Sequence, residues 1–190
     1  AQRYPIRKMQ ESGAAVFEPV PGGTSLGIAG GPDSLQISQA TLDRFAGIAS
    51  LTLGRSDGSG AVDVGNLVLP TTLTLRSSSG TVTFGGTVDS ATGFAHGLTV
   101  DTTALTTFAG SVGGTNALGS LSVAHAAQVD AASVRTSGTQ HYAGALGFGA
   151  DSELHAPALL LDAGLATGTH DVALFTDSLS LTRSVSGTGS

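Results

Sequence analysis

A three-residue apolar–polar–apolar pulse returns roughly every 20 residues along this chain, and no stretch of helix separates one pulse from the next. It reads Leu35-Gln36-Ile37, Leu51-Thr52-Leu53, Leu73-Thr74-Leu75, Leu98-Thr99-Val100, Leu121-Ser122-Val123, Leu159-Leu160-Leu161 and Leu179-Ser180-Leu181. Secondary pulses lie between them at Val62-Asp63-Val64, Leu67-Val68-Leu69 and Val82-Thr83-Phe84. Alternation of this kind sends two side chains to one face of a short strand and one to the other. A fixed period with glycine-rich punctuation is the mark of a solenoid of stacked coils. Such a chain makes a rod, whose assets are length and surface.

Composition narrows the class further. The 190 residues are 40% hydrophobic but spread evenly, and only 12% are charged, about half the usual share. Low hydrophobicity with high charge would mean disorder; this chain has neither. It folds, with an outside dominated by hydroxyls and by its 28 glycines. The net charge is −6, and after Arg3, Arg7 and Lys8 the basic residues are single arginines, Arg44, Arg55, Arg76, Arg135 and Arg183. No basic stripe tracks a phosphate backbone, so nucleic acid is not an expected partner. No apolar run approaches the roughly 20 residues of a membrane span, and the first residues lack the apolar core of a signal peptide. With no cysteine, disulfides, thiolate metal sites and cysteine nucleophiles are excluded.

Two regions are expected. Residues 1–33 hold four of the six prolines (Pro5, Pro19, Pro21 and Pro32) and the pairs Gly22-Gly23 and Gly30-Gly31. They read as an irregular lead-in, or the end of a preceding module, with short strands at Val16-Phe17 and Leu26-Gly27-Ile28 at most. Residues 34–190 carry the repeat. Within it a sub-motif recurs, an aromatic followed by small–Gly–small and an aliphatic, at Phe84 to Val88, Phe108 to Val112 and Tyr142 to Leu146. The aromatic would fill the coil interior, and the small pair would let the backbone turn a corner. Ser38 to Gly47 is the only stretch with helical spacing (Ala40, Leu42, Phe45), and it reads better as strand with a bend.

Short strands, several per period and almost without Asn-Gly or Asp-Gly hairpin signals, favour a parallel β-helix over a sandwich or barrel. Seven to eight coils at about 4.8 Å each would make a rod roughly 35–40 Å long. Expected core residues are Leu53, Leu75, Phe84, Val100, Phe108, Val123, Tyr142, Phe148 and Leu161. The last residues, Ser184 to Ser190, stop inside what reads as another coil without a polar cap, an open edge in a fold that needs capped ends.

These residues resemble a family. Leu35 to Leu42, Leu51-Thr52-Leu53-Gly54, Gly60-Ala61-Val62, Ala117 to Val123, Thr136 to Tyr142 and Leu179 to Gly189 are similar to repeats of the large filamentous-haemagglutinin-type adhesins of Gram-negative bacteria. The resemblance covers residues 35–190. It implies a right-handed parallel β-helix shaft, passed through an outer-membrane transporter and displayed or released at the bacterial cell surface. The Asn-Pro-Asn motifs of that family's secretion domain do not occur here, so this stretch would be shaft. Family members bind different partners, so the resemblance supplies no ligand.

The chain offers few groupings of the kind that do chemistry. Asp151 and Glu153, two apart on one strand face with His155 continuing the row, are the tightest acidic pair; polysaccharide-active β-helices cluster carboxylates in this way, usually beside a base. A solvated outer face is the plainer reading. Asp57 and Asp63 flank a Gly-Ser-Gly turn, where Asp57 serves as a turn former. Gly30-Gly31-Pro32-Asp33 is a single, proline-broken imitation of a calcium-roll repeat. The histidines, His96, His125, His141, His155 and His170, are too unevenly spaced for a metal ladder. No Gly-x-Ser-x-Gly elbow is set between a strand and a helix, Gly58-Ser59-Gly60 being a loop. Thr72-Leu73-Thr74 and Thr81-Val82-Thr83 do not make a flat threonine array.

The sequence therefore leads to an all-β, right-handed parallel β-helix with no catalytic, cofactor or metal site assigned: a non-catalytic, extracellular adhesive shaft. Its expected partners are cell-surface glycans or proteins, the transporter during export, and copies of itself through uncapped ends. A self-assembling filament subunit is the alternative. A β-helical polysaccharide-active enzyme is the third reading, and it requires Asp151, Glu153 and a basic residue to converge in a cleft.

Overall fold

The computed structural model describes residues 8–9 and 13–188. Its strands stack in parallel as a β-solenoid of about seven coils, with almost no helix. Three faces run its length. The long face is built from Ala14–Phe17, Ser50–Arg55, Thr72–Ser77, Gly97–Thr102, Ser120–Val123, Thr139–Tyr142, Ala158–Leu161 and Ser178–Leu181. The second face stacks Leu26–Ile28, Val62–Val64, Val82–Phe84, Thr106–Phe108, Ala127–Val129, Leu146–Phe148, Leu165–Gly168 and Val185–Gly187. The third holds Leu67–Leu69 and Val88–Ser90, then a single bridge at Val112, then Ser133–Arg135, Ser152–His155 and Val172–Phe175.

Register makes the pulses meaningful. Leu51, Leu73, Leu98, Leu121, Gln140, Leu159 and Leu179 are paired from coil to coil, as are Leu53, Leu75, Val100, Val123, Tyr142, Leu161 and Leu181. These two columns line the interior of the long face, and the residue between them points out. All nine expected core residues are buried. Phe84 stacks on Phe108 with ring centroids 4.8 Å apart and planes at 8°, a parallel arrangement that the strand stacking imposes. Coil length is not constant: Leu73 to Leu98 spans 25 residues, whereas Leu121 to Gln140 and Gln140 to Leu159 span 19 each. The surplus goes into the corner loops.

Several sequence expectations are corrected. The Leu35-Gln36-Ile37 pulse belongs to the second face, pairing with Leu26–Ile28. The aromatic motif at Tyr142 belongs to the long face; the second-face partner of Phe108 is Val129, followed by Phe148. Ser38 to Gly47 is helical after all: α-helix over Gln39–Leu42 runs into a 3₁₀ turn over Asp43–Phe45. Ser38 is a good N-cap, its Oγ accepting the Thr41 N–H at 3.2 Å, and Leu42 is the buried anchor. Within residues 1–33, Ala14–Phe17 and Leu26–Ile28 stand in parallel register with Ser50–Leu53 and Val62–Val64. The readings placed on residues 1–7, 10–12 and 189–190 lie outside the described residues.

The N-terminal end is covered on the long and third faces, each by a different device. On the long face Lys8–Met9 pairs antiparallel with Ala15–Val16, which stops parallel addition. On the second face Leu35–Ile37 adds one more parallel strand outside Leu26–Ile28 and forms the outermost strand. On the third face the Gln39 side chain substitutes for a strand, its Nε2 donating to Val68 O at 2.8 Å and its Oε1 accepting the Val68 N–H at 3.0 Å. At the other end the final coil leaves inward-facing side chains open, with Leu179 49% and Val185 53% exposed.

One corner is steric. After three of the second-face strands the chain turns at Gly65, Gly86 and Gly110, and a Cβ on Gly110 would clash with the Gly86 carbonyl oxygen. Only a residue without Cβ lets successive coils approach this closely.

Candidate functional site

The outer surface of the third face carries a cluster of titratable groups from successive coils. Along Ser152–His155, Leu154 points into the core while Glu153 and His155 point out, and Asp151 stands just before the strand. Register then brings in neighbours 20 residues away. Arg135 pairs with His155, which pairs with Phe175, while Ser133, Glu153 and Ala173 form the adjoining row. Asp151, Glu153, Arg135 and His170 surround one solvent-open hollow of about 770 Å³. The row expected from sequence is therefore present on one strand, and a basic residue does converge on it.

The internal bonding of this cluster shows how it is held. Glu153 Oε2 lies 2.9 Å from His155 Nε2 and 4.0 Å from the Arg135 guanidinium. His155 lies flat on Phe175, centroids 4.3 Å apart at 7°. Asp151 Oδ1 accepts the Asp171 N–H at 3.0 Å and sits 3.7 Å from His170 Nδ1, tying two successive coils together. The Asp151 and Glu153 side chains are 75% and 49% exposed, so these carboxylates stand in water. Such an arrangement can accept hydroxyl or amide hydrogens from a ligand lying on the face.

Beneath it lies a buried polar network. Gln140 occupies an interior position of the long face with no exposure; its Nε2 donates to Val134 O and His155 O, both at 3.0 Å. Its Oε1 accepts the Tyr142 hydroxyl at 3.3 Å, and burial pushes the Tyr142 phenol well up. The network fixes the backbone at His155 from below.

The remaining candidates are dispersed. Asp57 forms a fork with Arg55, Nε and Nη2 each 2.8 Å from a carboxylate oxygen, at a turn. Asp33, the end of the glycine–proline stretch, lies against Asp63; burial pushes the Asp63 carboxyl up, its neighbour Asp33 adds to this, and the Thr83 hydroxyl pulls the other way. The sequence analysis missed this pair, since the partners are 30 residues apart and only the coil register joins them. His141 bonds Asp162 at 2.8 Å on the long face, and His125 is exposed at a corner. His96 stacks on Phe94, and burial lowers its pKa. Among the described residues no group of three or more His, Cys, Asp or Glu side chains could hold a metal ion. Single threonines from different coils do align, Thr52, Thr74 and Thr99 forming an outward column that local Thr-x-Thr spacing does not reveal. Compared with protein-family models, with curated proteins and with solved structures, the chain matches none.

Proposed function

We propose that this chain is a non-catalytic stretch of the adhesive shaft of a large bacterial surface or exported protein, of the filamentous-haemagglutinin type that its repeats resemble. The observation that carries the reading is the pair of parallel ladders that run the length of the rod on the long and second faces, with shorter ladders joined through Val112 on the third. Stacked coils give stiffness, and a ladder in which every coil is paired gives resistance to unfolding. A hydroxyl-rich, sparsely charged exterior then meets glycans, other cells or neighbouring proteins by repeated weak contacts.

A filament of subunits stacked head to tail would have to displace Lys8–Met9 and the Gln39 amide, which cover the N-terminal edges of the long and third faces. The polysaccharide-active reading has the hollow around Asp151, Glu153 and Arg135 in its favour. Against it, the carboxylates stand on an open strand surface, whereas glycoside chemistry works from a site that excludes water.

Two experiments test the proposal. Antibody raised against the rod should label intact cells of the source bacterium, and labelling only after lysis would overturn the surface assignment. Cryo-electron microscopy of the isolated protein should show discrete rods. A continuous fibre with a repeat of about 4.8 Å crossing chain boundaries would replace the shaft with a polymer. Reducing sugar released from a polysaccharide panel, and lost in Glu153→Gln, would make it an enzyme.

A further inference from the structure

Where the third face turns into the long face, one corner of the rod is wider than the corner before it. The chain crosses from Leu67–Leu69 to Thr72–Ser77 in two residues, Pro70 and Thr71, but takes six, residues 91–96, from Val88–Ser90 to Gly97–Thr102. The extra length lifts Phe94 off the surface, 64% exposed on an exterior of threonine, serine and glycine. The loop is firmly held. The fully buried Ser90 donates its hydroxyl to Phe94 O at 3.0 Å and accepts the His96 N–H at 3.0 Å. The Phe94 N–H donates to Ala91 O, also at 3.0 Å. The His96 imidazole lies parallel to the Phe94 ring, centroids 5.1 Å apart at 11°, and so covers one π-face. The opposite face is open to solvent.

Beside the ring lies a hollow of about 470 Å³, assembled from three successive coils. Ile48, Pro70 and Ala91 give it apolar walls, and Asp43 and His96 are the titratable side chains that reach it. The walls are anchored from below. The buried Thr71 donates its hydroxyl to Ile48 O at 2.7 Å, and the Ala91 N–H donates to Leu69 O at 3.1 Å. Asp43 is steadied by Gln39, whose Nε2 donates to its Oδ1 at 2.8 Å. Among the described residues no cation forms an ion pair with this carboxylate. Arg55, Arg76 and Arg135 lie against Asp57, Asp101 and Glu153 instead, and the neighbouring Arg44 does not line the hollow. His96 adds no positive charge at neutral pH, since partial burial lowers its pKa. The hollow is therefore apolar, negative at one side and floored by an open aromatic face.

We propose that this hollow receives an arginine side chain of a partner protein, its guanidinium stacked on the open face of Phe94 and forked onto the Asp43 carboxylate. A guanidinium is planar and weakly hydrated, so it stacks on an aromatic face while its N–H groups point in its own plane towards a carboxylate. An ammonium is a compact, strongly hydrated charge and does neither as well. The apolar walls suit the methylene stem, which arginine buries while its head stays among polar groups. The net charge of −6 draws a basic partner towards the rod and turns an acidic one away. The inference deepens the adhesive reading by giving the shaft a class of partner, and it rests on that reading for its biological purpose alone.

The test titrates the blocked peptide acetyl-Gly-Arg-Gly-amide into the isotope-labelled protein, followed by NMR. Saturable shifts are expected at the Ile48, Ala91, Phe94 and His96 signals, with half-saturation in the millimolar range that one side chain can supply. The same peptide carrying citrulline, the uncharged isostere, should bind at least about tenfold more weakly, and one carrying lysine about fivefold. Asp43→Asn, which keeps the oxygen that Gln39 holds, should weaken binding at least about tenfold, and Phe94→Ala about fivefold. The circular dichroism spectrum should stay unchanged in both, since both side chains are exposed. Absence of shifts at tens of millimolar peptide, citrulline or lysine bound as tightly as arginine, or binding indifferent to both substitutions would each overturn the proposal. So would shifts that follow protein concentration alone and vanish in Arg44→Glu, which would place a second copy in the hollow. None of these outcomes alters the labelling of cells or the rods seen by microscopy, so the shaft reading stands or falls separately.

Discussion

Replacing Phe84 with alanine tests whether stability in this molecule is a sum over neighbouring coils. The ring is fully buried between Val64 below and Phe108 above, and stacks on the latter at 4.8 Å. A Phe→Ala change at such a site costs about 3–5 kcal/mol, from lost transfer energy plus the cavity left behind. A rod of parallel strands cannot easily collapse into that space, because moving one coil breaks ladders on three faces. For a chain of this length each kcal/mol lowers the melting midpoint by about 2–4 °C, giving a fall of about 6–20 °C. Thermal and urea unfolding followed by circular dichroism would read it. The sharper test is a double-mutant cycle with leucine at Phe84 and Phe108, for which ring stacking predicts a coupling of about 0.5–1.5 kcal/mol. The pair Phe84 and Phe148, three coil steps apart through Phe108 and Val129, should be additive. Coupling as large for the distant pair as for the stacked one would refute the coil-by-coil account, and so would a Phe84→Ala loss below about 1 kcal/mol.

Gly110→Ala should destabilise by more than about 2 kcal/mol, measured by urea unfolding, because its Cβ would meet the Gly86 carbonyl and no flexible side chain can yield. Gln39→Ala should cost about 1 kcal/mol and speed hydrogen exchange at the Val68 amide, since it reopens the third-face edge. Asp33→Asn should raise the melting midpoint near pH 7 and leave it unchanged near pH 3. The Asp63 carboxyl is pushed up in the fold, so its contribution is complete below the ordinary carboxylate range and is lost as the pH rises through its folded value. Removing the neighbouring charge recovers that loss only where Asp63 is ionised. An equal change at both pH values would show that the effect is packing.

The strands were legible wherever one short run carried its own signal. Six of the seven main pulses fall on the long face, all of them as Leu-x-Leu or Leu-x-Val, because period-two alternation survives in three residues. The seventh coil of that face was missed as such: Gln140-His141-Tyr142 breaks the apolar pattern, and the Gln140 amide is satisfied only by carbonyls 6 and 15 residues away. The first coil was hidden for another reason. Ala14–Phe17 is only partly buried, so it has little alternation to show, and prolines surround it. The helix after Ser38 carried a sound N-cap, but four residues are too few for periodicity to outweigh a strand reading.

The candidate site was half legible. Asp151, Glu153 and His155 alternate within one strand and so declare a common face. Arg135, Phe175 and His170 join them only through register. With coils of 19 to 25 residues, a slip of one would send each side chain to the opposite face. Phe94 gave no local signal at all, since an aromatic in a loop reads the same whether it folds in or stands out.

The direction of the ladders has a mechanical consequence. Bonds between coils lie along the rod, so traction on its ends loads the coil interfaces in series, and one can part while the rest hold. Each coil stores 19–25 residues, roughly 65–85 Å of contour, within about 4.8 Å of rod. Under tension such a shaft should lengthen in steps of that size, and rewind onto the template beneath when the load falls. Single-molecule extension that instead gave one all-or-none rupture would mean that the coils fail together. In the adhesive role proposed above, a rod that lengthens in this way would let an attached cell ride a surge without losing its hold.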